Sequence, residues 1–253
     1  MAERQLLVDI WAGNINLEPQ KLLDNGVKGM IVRINDISGG LHVDARFNEN
    51  LAIAKTFPVY GIYFVWNPWI SGQANYNWLI SKIPNDFHYR IFVDIEVVYN
   101  ACSPVTYANE VATFLAMLSN KYLVSPYTGQ WFLSYLAYWP TTVDYWWAAY
   151  PTALNYCQTW ADYRKILDTL PFAFNKSYCP GRVVLWQSSG DLVKALPGFG
   201  GRPVDVNVFL GTLQDLQIWF GVNDPLPPPP VDPIKQQLLD AIANIIILIN
   251  ELP

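Results

Sequence analysis

The chain has 253 residues, enough for one large domain or one domain with an appendage. Only 15% of the residues are charged, the net charge is -5 and the sequence shows no basic patch to neutralise phosphates, which argues against a nucleic-acid binder. With 11 Trp and 15 Tyr, the chain carries many rings beside few charges, which suits carbohydrate, although most of these rings must also serve a core.

Leu6 to Trp11 reads as a buried strand that contains Asp9. Glu18 to Asn25 reads as a helix, with Pro19 early and Gly26 as its stop. Gly29 to Ile34 is the second strand, Phe47 to Thr56 the next helix and Val59 to Trp66 the next strand. A short helix over Gln73 to Ser81 leads to the strand Arg90 to Val98, whose only carboxylates are Asp94 and Glu96. Residues at i and i+2 of a strand share a face, so these two acids sit together, roughly 6.6 Å apart at Cα. Burying like charges side by side raises a pKa and divides the pair into an acid and a base. A loop cap plus a salt bridge would account for them equally well on this strand alone.

Ser103-Pro104 opens a helix to about Asn120, with Val111, Phe114, Leu115 and Leu118 at helical spacing, and Leu123 to Tyr127 follows as a strand. Strands alternating with helices predict parallel βαβ units. The alternation then weakens. Tyr145 to Tyr150, Val183 to Ser188 and Val204 to Phe209 read as strands, with a helix only over Asp162 to Leu170 between them. Leu213 to Phe220 is placed as a closing helix. Asp224 to Pro233 is a proline-rich spacer, and Ile234 to Leu252 reads as one apolar helix with heptad spacing. That helix is expected to self-associate, dock to a larger assembly or fold back on the barrel. Lys235, Asp240 and two Asn leave too short an apolar run for a membrane span. Three Cys without metal spacing (Cys102, Cys157, Cys179) and two isolated His (His42, His88) predict no metal, no cofactor and no disulfide framework, with one incidental bridge left open.

Several segments, taken in order, resemble glycoside hydrolase family 25, the lysozyme-like muramidases. They are Val8-Asp-Ile-Trp11, Asp44 to Asn50, Tyr60 to Phe64, Phe92-Val-Asp-Ile-Glu96, Trp147 to Tyr150, Leu185-Trp-Gln-Ser-Ser189 and Val204 to Gly211. The match covers about residues 5 to 220. It implies an α/β fold, an incomplete TIM-like (β/α)5(β)3 barrel with parallel strands first and antiparallel ones last. With the proline-rich spacer and the heptad spacing beyond it, the chain divides into three regions: a barrel over 1–222, a linker over 223–233 and a helix over 234–253. The implied activity is hydrolysis of the β-1,4 bond between N-acetylmuramic acid and N-acetylglucosamine, with peptidoglycan glycan strands as the partner. An alternative is a catalytically silent glycan-binding or structural barrel.

Carried over by resemblance, the catalytic acids are Glu96 as general acid/base, Asp94 as the partner that stabilises positive charge or orients the N-acetyl group, and Asp9 and Asp205 in support. Tyr63, Tyr127 and Trp186 are implied sugar contacts. Trp11 and Trp66 are further aromatic groove candidates, and Gln187 and Asn207 are candidate substrate-binding polar residues. Two loops depart from the family pattern. After Asp36 the chain reads Ile-Ser-Gly-Gly40, and after Phe64 it reads Val-Trp-Asn-Pro-Trp69. The start of the chain has no basic-then-apolar leader, so synthesis in the cytoplasm is expected, with the wall reached after lysis, through a pore or by particle delivery.

Overall fold

A computed structural model of the chain describes residues 3–171, 179–190, 196–203 and 205–222. The linker and terminal helix inferred from sequence lie outside these residues. The chain opens with β1 (Arg4–Ile10), α1 (Pro19–Asp24) and β2 (Val27–Arg33). A small ribbon follows, β3 (Asn35–Asp36) with β4 (His42–Val43), then α2 (Phe47–Ala54), β5 (Val59–Val65), α3 (Gly72–Lys82) and β6 (Ile91–Asp94). Next come α4 (Pro104–Ser119), β7 (Val124–Gly129), β8 (Asp144–Ala148), α5 (Trp160–Leu167), β9 (Arg182–Ser189), β10 (Asp205–Leu210) and α6 (Leu213–Phe220).

Eight strands close a barrel in the order β1-β2-β5-β6-β7-β8-β9-β10. The first seven run parallel, and β10 alone runs antiparallel, to both of its neighbours β9 and β1. The expected turn to antiparallel pairing is therefore confined to the last strand. After β7 and β8 the chain makes 3-10 turns, Gln130–Tyr135 and Thr152–Tyr156, where earlier strands are followed by α-helices. This is where the apolar periodicity fades in the sequence.

The strands are buried on both faces, which explains their nearly continuous apolar runs. Outward residues such as Val8, Val32, Phe64 and Val93 pack against the helices, while Leu7, Ile31, Tyr63, Phe92, Trp146 and Phe209 fill the lumen. The helices start where side chains supply caps: Ser71 accepts the Ala74 N–H, Ser103 the Thr106 N–H and Thr159 the Asp162 N–H. Helix α4 buries Phe114, Leu115 and Leu118 against the barrel, each contributing about 1.5–3 kcal/mol. Helix α6 has a full capping box from Thr212 and Asp215, ends at Gly221 with φ +84°, and closes the N-terminal mouth with Leu216 and Phe220. Gly61 makes room for it, since a Cβ there would stand 3.2 Å from the Phe220 ring.

All three cysteines are free thiols. No helix among the described residues is long and apolar enough to cross a membrane.

Candidate active site

The opposite mouth of the barrel holds a cleft of about 440 Å³. Asp9, Asp94, Glu96 and Asp205 all line it, with Tyr63, Tyr127, Trp146, Tyr150 and Gln187. Strand direction explains how distant segments meet there. Asp94 ends β6 and Asp9 lies near the end of the parallel strand β1. Asp205 opens the antiparallel β10, so its start falls at the rim where the others finish, and it stands directly across from Asp9.

Strand β6 is shorter than the sequence suggests, and Glu96 lies two residues past its end. The inside-outside alternation nevertheless continues. Ile95 donates its N–H to Tyr127 O at 3.0 Å and points into the outer core, so Asp94 and Glu96 both face the cleft. Asp94 is buried and its Oδ1 has no hydrogen-bond partner, whereas Glu96 is exposed. Burial first, then the negative charges of Glu96 and Asp9, push the Asp94 carboxyl well above the ordinary carboxylate range, with Arg33 opposing. Asp94 therefore keeps its proton where a solvated aspartate has lost it.

Asp9 is held by amides. Asn207 Nδ2 donates to its Oδ2 at 2.7 Å and Gln187 Nε2 donates to the same oxygen at 3.1 Å. Both amides are oriented from behind. Asn207 Oδ1 accepts the Trp146 indole N–H at 2.7 Å, and Gln187 Oε1 accepts the hydroxyls of Tyr127 at 2.7 Å and Tyr150 at 2.6 Å. Burial pushes the Tyr63 and Tyr127 hydroxyls far above their ordinary value, so both stay neutral donors. Arg33 stands at the end of β2, bonded through Nε to Asp44 Oδ2 at 2.7 Å, with its guanidinium 4.7 Å from the Trp11 ring centre. Among the described residues no group of three or more His, Cys, Asp or Glu is arranged to hold a metal ion.

Three of the aromatic candidates lie elsewhere. Trp66 is fully buried and packs on Phe114 in the layer between barrel and helices. Trp186 also faces that layer, its indole N–H bonded to Ala149 O at 2.7 Å. It precedes Gln187, which points into the lumen, so alternation forbids both from lining the cleft. Trp11 is exposed beyond β1 and under Arg33, outside the cleft lining. Asn207 is fully buried beneath Asp9 and supports that carboxylate; it is not among the cleft-lining residues.

The sequence reading missed Trp146, Tyr150, Asn155 and Gly190, which complete the lining. Trp146 and Tyr150 were within reach, because stepping by two along Trp146, Ala148 and Tyr150 marks one inward face.

No protein-family model and no curated protein matches the sequence. Solved structures do match. A family 25 glycosyl hydrolase from Bacillus anthracis superposes with a TM-score of 0.64 at 17% identity, covering 86% of this chain and 93% of that one. A bacterial lysozyme from Streptomyces coelicolor gives 0.64 at 17% identity, over 87% of this chain and 98% of that one. The modular autolysin LytC from Streptococcus pneumoniae, solved with a synthetic peptidoglycan ligand, gives 0.58 at 19%, over 82% of this chain and 47% of that one. The described residues thus adopt the α/β barrel of the family 25 glycosyl hydrolases.

Proposed function

We propose that the protein is a peptidoglycan hydrolase that cleaves the β-1,4 bond between N-acetylmuramic acid and N-acetylglucosamine. The observation that carries this reading is the meeting of four carboxylates from β1, β6 with its extension, and β10 at one cleft. The fold shared with lysozymes and with an autolysin solved on a peptidoglycan ligand supports the same substrate.

The chemistry follows from unequal burial. The Asp94–Glu96 pair retains a proton above the ordinary carboxylate range because burial and like charge disfavour full ionisation at Asp94. Glu96, at the solvent side, takes that proton from Asp94 and passes it to the glycosidic oxygen as the bond to the anomeric carbon breaks. Asp94, then a buried anion, faces the positive charge that develops on the sugar. Glu96 afterwards takes a proton from the incoming water as the water oxygen bonds to the anomeric carbon, which returns the proton to the pair. Asp9, fixed by Asn207 and Gln187, supplies the negative field that keeps the pair's proton in place.

Incubation with purified peptidoglycan tests this by the appearance of new reducing ends. Glu96→Gln is expected to lower turnover by about 10²–10⁴ with an unchanged melting curve. Sugar binding without release of reducing ends by the wild type would replace this reading with a silent glycan-binding barrel.

A further inference from the structure

The two loops that depart from the family pattern meet in space. Ile37, Gly40 and Leu41 from the first, and Trp69 and Ile70 from the second, line a groove of about 540 Å³ completed by Trp78 of α3. This volume lies within the roughly 300–1,000 Å³ of small-ligand sites.

Trp69 is 53% exposed, yet the loop that carries it is fixed from below. Fully buried Asn75 donates from Nδ2 to Asn67 O at 2.9 Å and Ser71 O at 3.1 Å, and its Oδ1 accepts the Asn67 N–H. Asn67 Oδ1 in turn accepts the Trp69 N–H at 2.9 Å. An exposed indole on a preorganised loop presents a flat apolar face at little entropic cost on binding.

The groove is built from the loops that follow β2 and β5, so it lies at the same mouth of the barrel as the cleft, to which Asp94 belongs at the end of β6. The backbone N–H of Trp66 donates to the backbone carbonyl of Asp94 at 2.9 Å, and the Trp69 ring meets the Tyr99 ring edge-on at 6.2 Å, three residues beyond Glu96. No charged side chain lines the groove, and Asn67 is already committed to the loop. It therefore offers nothing to the charged groups of a stem peptide and suits the C–H face of a neutral pyranose.

We propose that this groove is an accessory carbohydrate subsite, in which Trp69 stacks on a sugar of the same glycan strand beyond those held in the cleft. The proposal rests on the peptidoglycan reading of the neighbouring site, and it concerns chain length rather than chemistry.

The test is calorimetric titration of the full chain with peptide-free glycan fragments, a disaccharide and an octasaccharide, comparing wild type, Trp69→Phe and Trp69→Ala at position 69, all three carrying Glu96→Gln so that the fragments are not cut during the titration. Wild type is expected to bind the longer fragment about tenfold more tightly than the shorter. Trp69→Ala should lose that gain, and Trp69→Phe, which keeps a ring, should recover part of it. Near-ultraviolet circular dichroism reports whether the variants keep their packing. An undiminished gain in folded Trp69→Ala overturns the subsite, as does a loss in Trp69→Ala that is matched by a fall in oligomeric mass on sedimentation, which would assign the groove to a second copy of the chain. Reducing-end release by wild type is scored separately. Its absence, with the length-dependent gain intact and sensitive to Trp69, removes the hydrolase reading and leaves the subsite standing.

Discussion

The two mouths of the barrel treat buried charge in opposite ways. At the closed mouth Arg90 is buried, but its Nε donates to Trp219 O at 2.8 Å, its Nη1 reaches Ser125 Oγ at 3.0 Å, and the Trp219 ring lies 4.2 Å from the guanidinium. Burial pushes this guanidinium down to about 10, which still leaves it charged at neutral pH. At the open mouth Asp94 is buried with one oxygen unbonded and two like charges beside it. A charge retained with partners serves the fold; a carboxyl kept without them costs stability, and that cost is expected where a ligand completes the site.

Substitutions at the two ends should separate accordingly. Glu96→Gln should show the largest effect, the 10²–10⁴ loss of turnover given above, without loss of stability. Arg90→Met should do the reverse. It strips a donor from the Trp219 carbonyl and from Ser125 and so should cost about 2–4 kcal/mol by urea titration, while the folded fraction keeps its turnover. Equal losses of stability at both ends would remove the contrast.

Asp94→Asn sharpens it through pH. A carboxyl that holds its proton more tightly in the folded than in the unfolded chain stabilises the fold while protonated. That contribution is complete below the unfolded value near 3.8 and is lost as pH rises through the raised folded value. Wild-type stability should therefore fall with rising pH across this window. Asp94→Asn should flatten the fall and raise the urea midpoint at pH 7, although it slows hydrolysis. A steeper pH dependence in the variant would show that Asp94 is not the group being titrated.

Much of this was legible in the sequence for reasons of periodicity. Strand alternation and helical spacing place the first four β-α units, and Asp94 with Glu96 on one face survives even though β6 ends at Asp94. The same rule, applied consistently, would have corrected two assignments. Counting outward from inward-facing Tyr63 puts Trp66 on the helix side, and counting from Gln187 does the same for Trp186. The reversal of β10 alone was not legible, because parallel and antiparallel strands of a fully covered barrel are equally apolar. The β3–β4 ribbon and the 3-10 turns are too short to impose a period at all.

The smallest effect is expected behind Asp9, where the support is redundant. Gln187 Oε1 accepts two phenolic hydroxyls, from Tyr127 and Tyr150. Tyr127→Phe removes one and leaves the other to hold the amide with its Nε2 toward Asp9, so it should cost only about 0.5–1.5 kcal/mol and lower turnover severalfold. Tyr150→Phe should behave alike. With both gone, only the bond to Asp9 orients the Gln187 amide, and a flipped amide would set Oε1 against the Asp9 carboxylate. The double variant should therefore lose more turnover than the two single losses multiplied, and a double-mutant cycle reads that surplus directly. A surplus of zero would mean that Asp9 orients the amide unaided and that the tyrosines serve the sugar rather than Asp9.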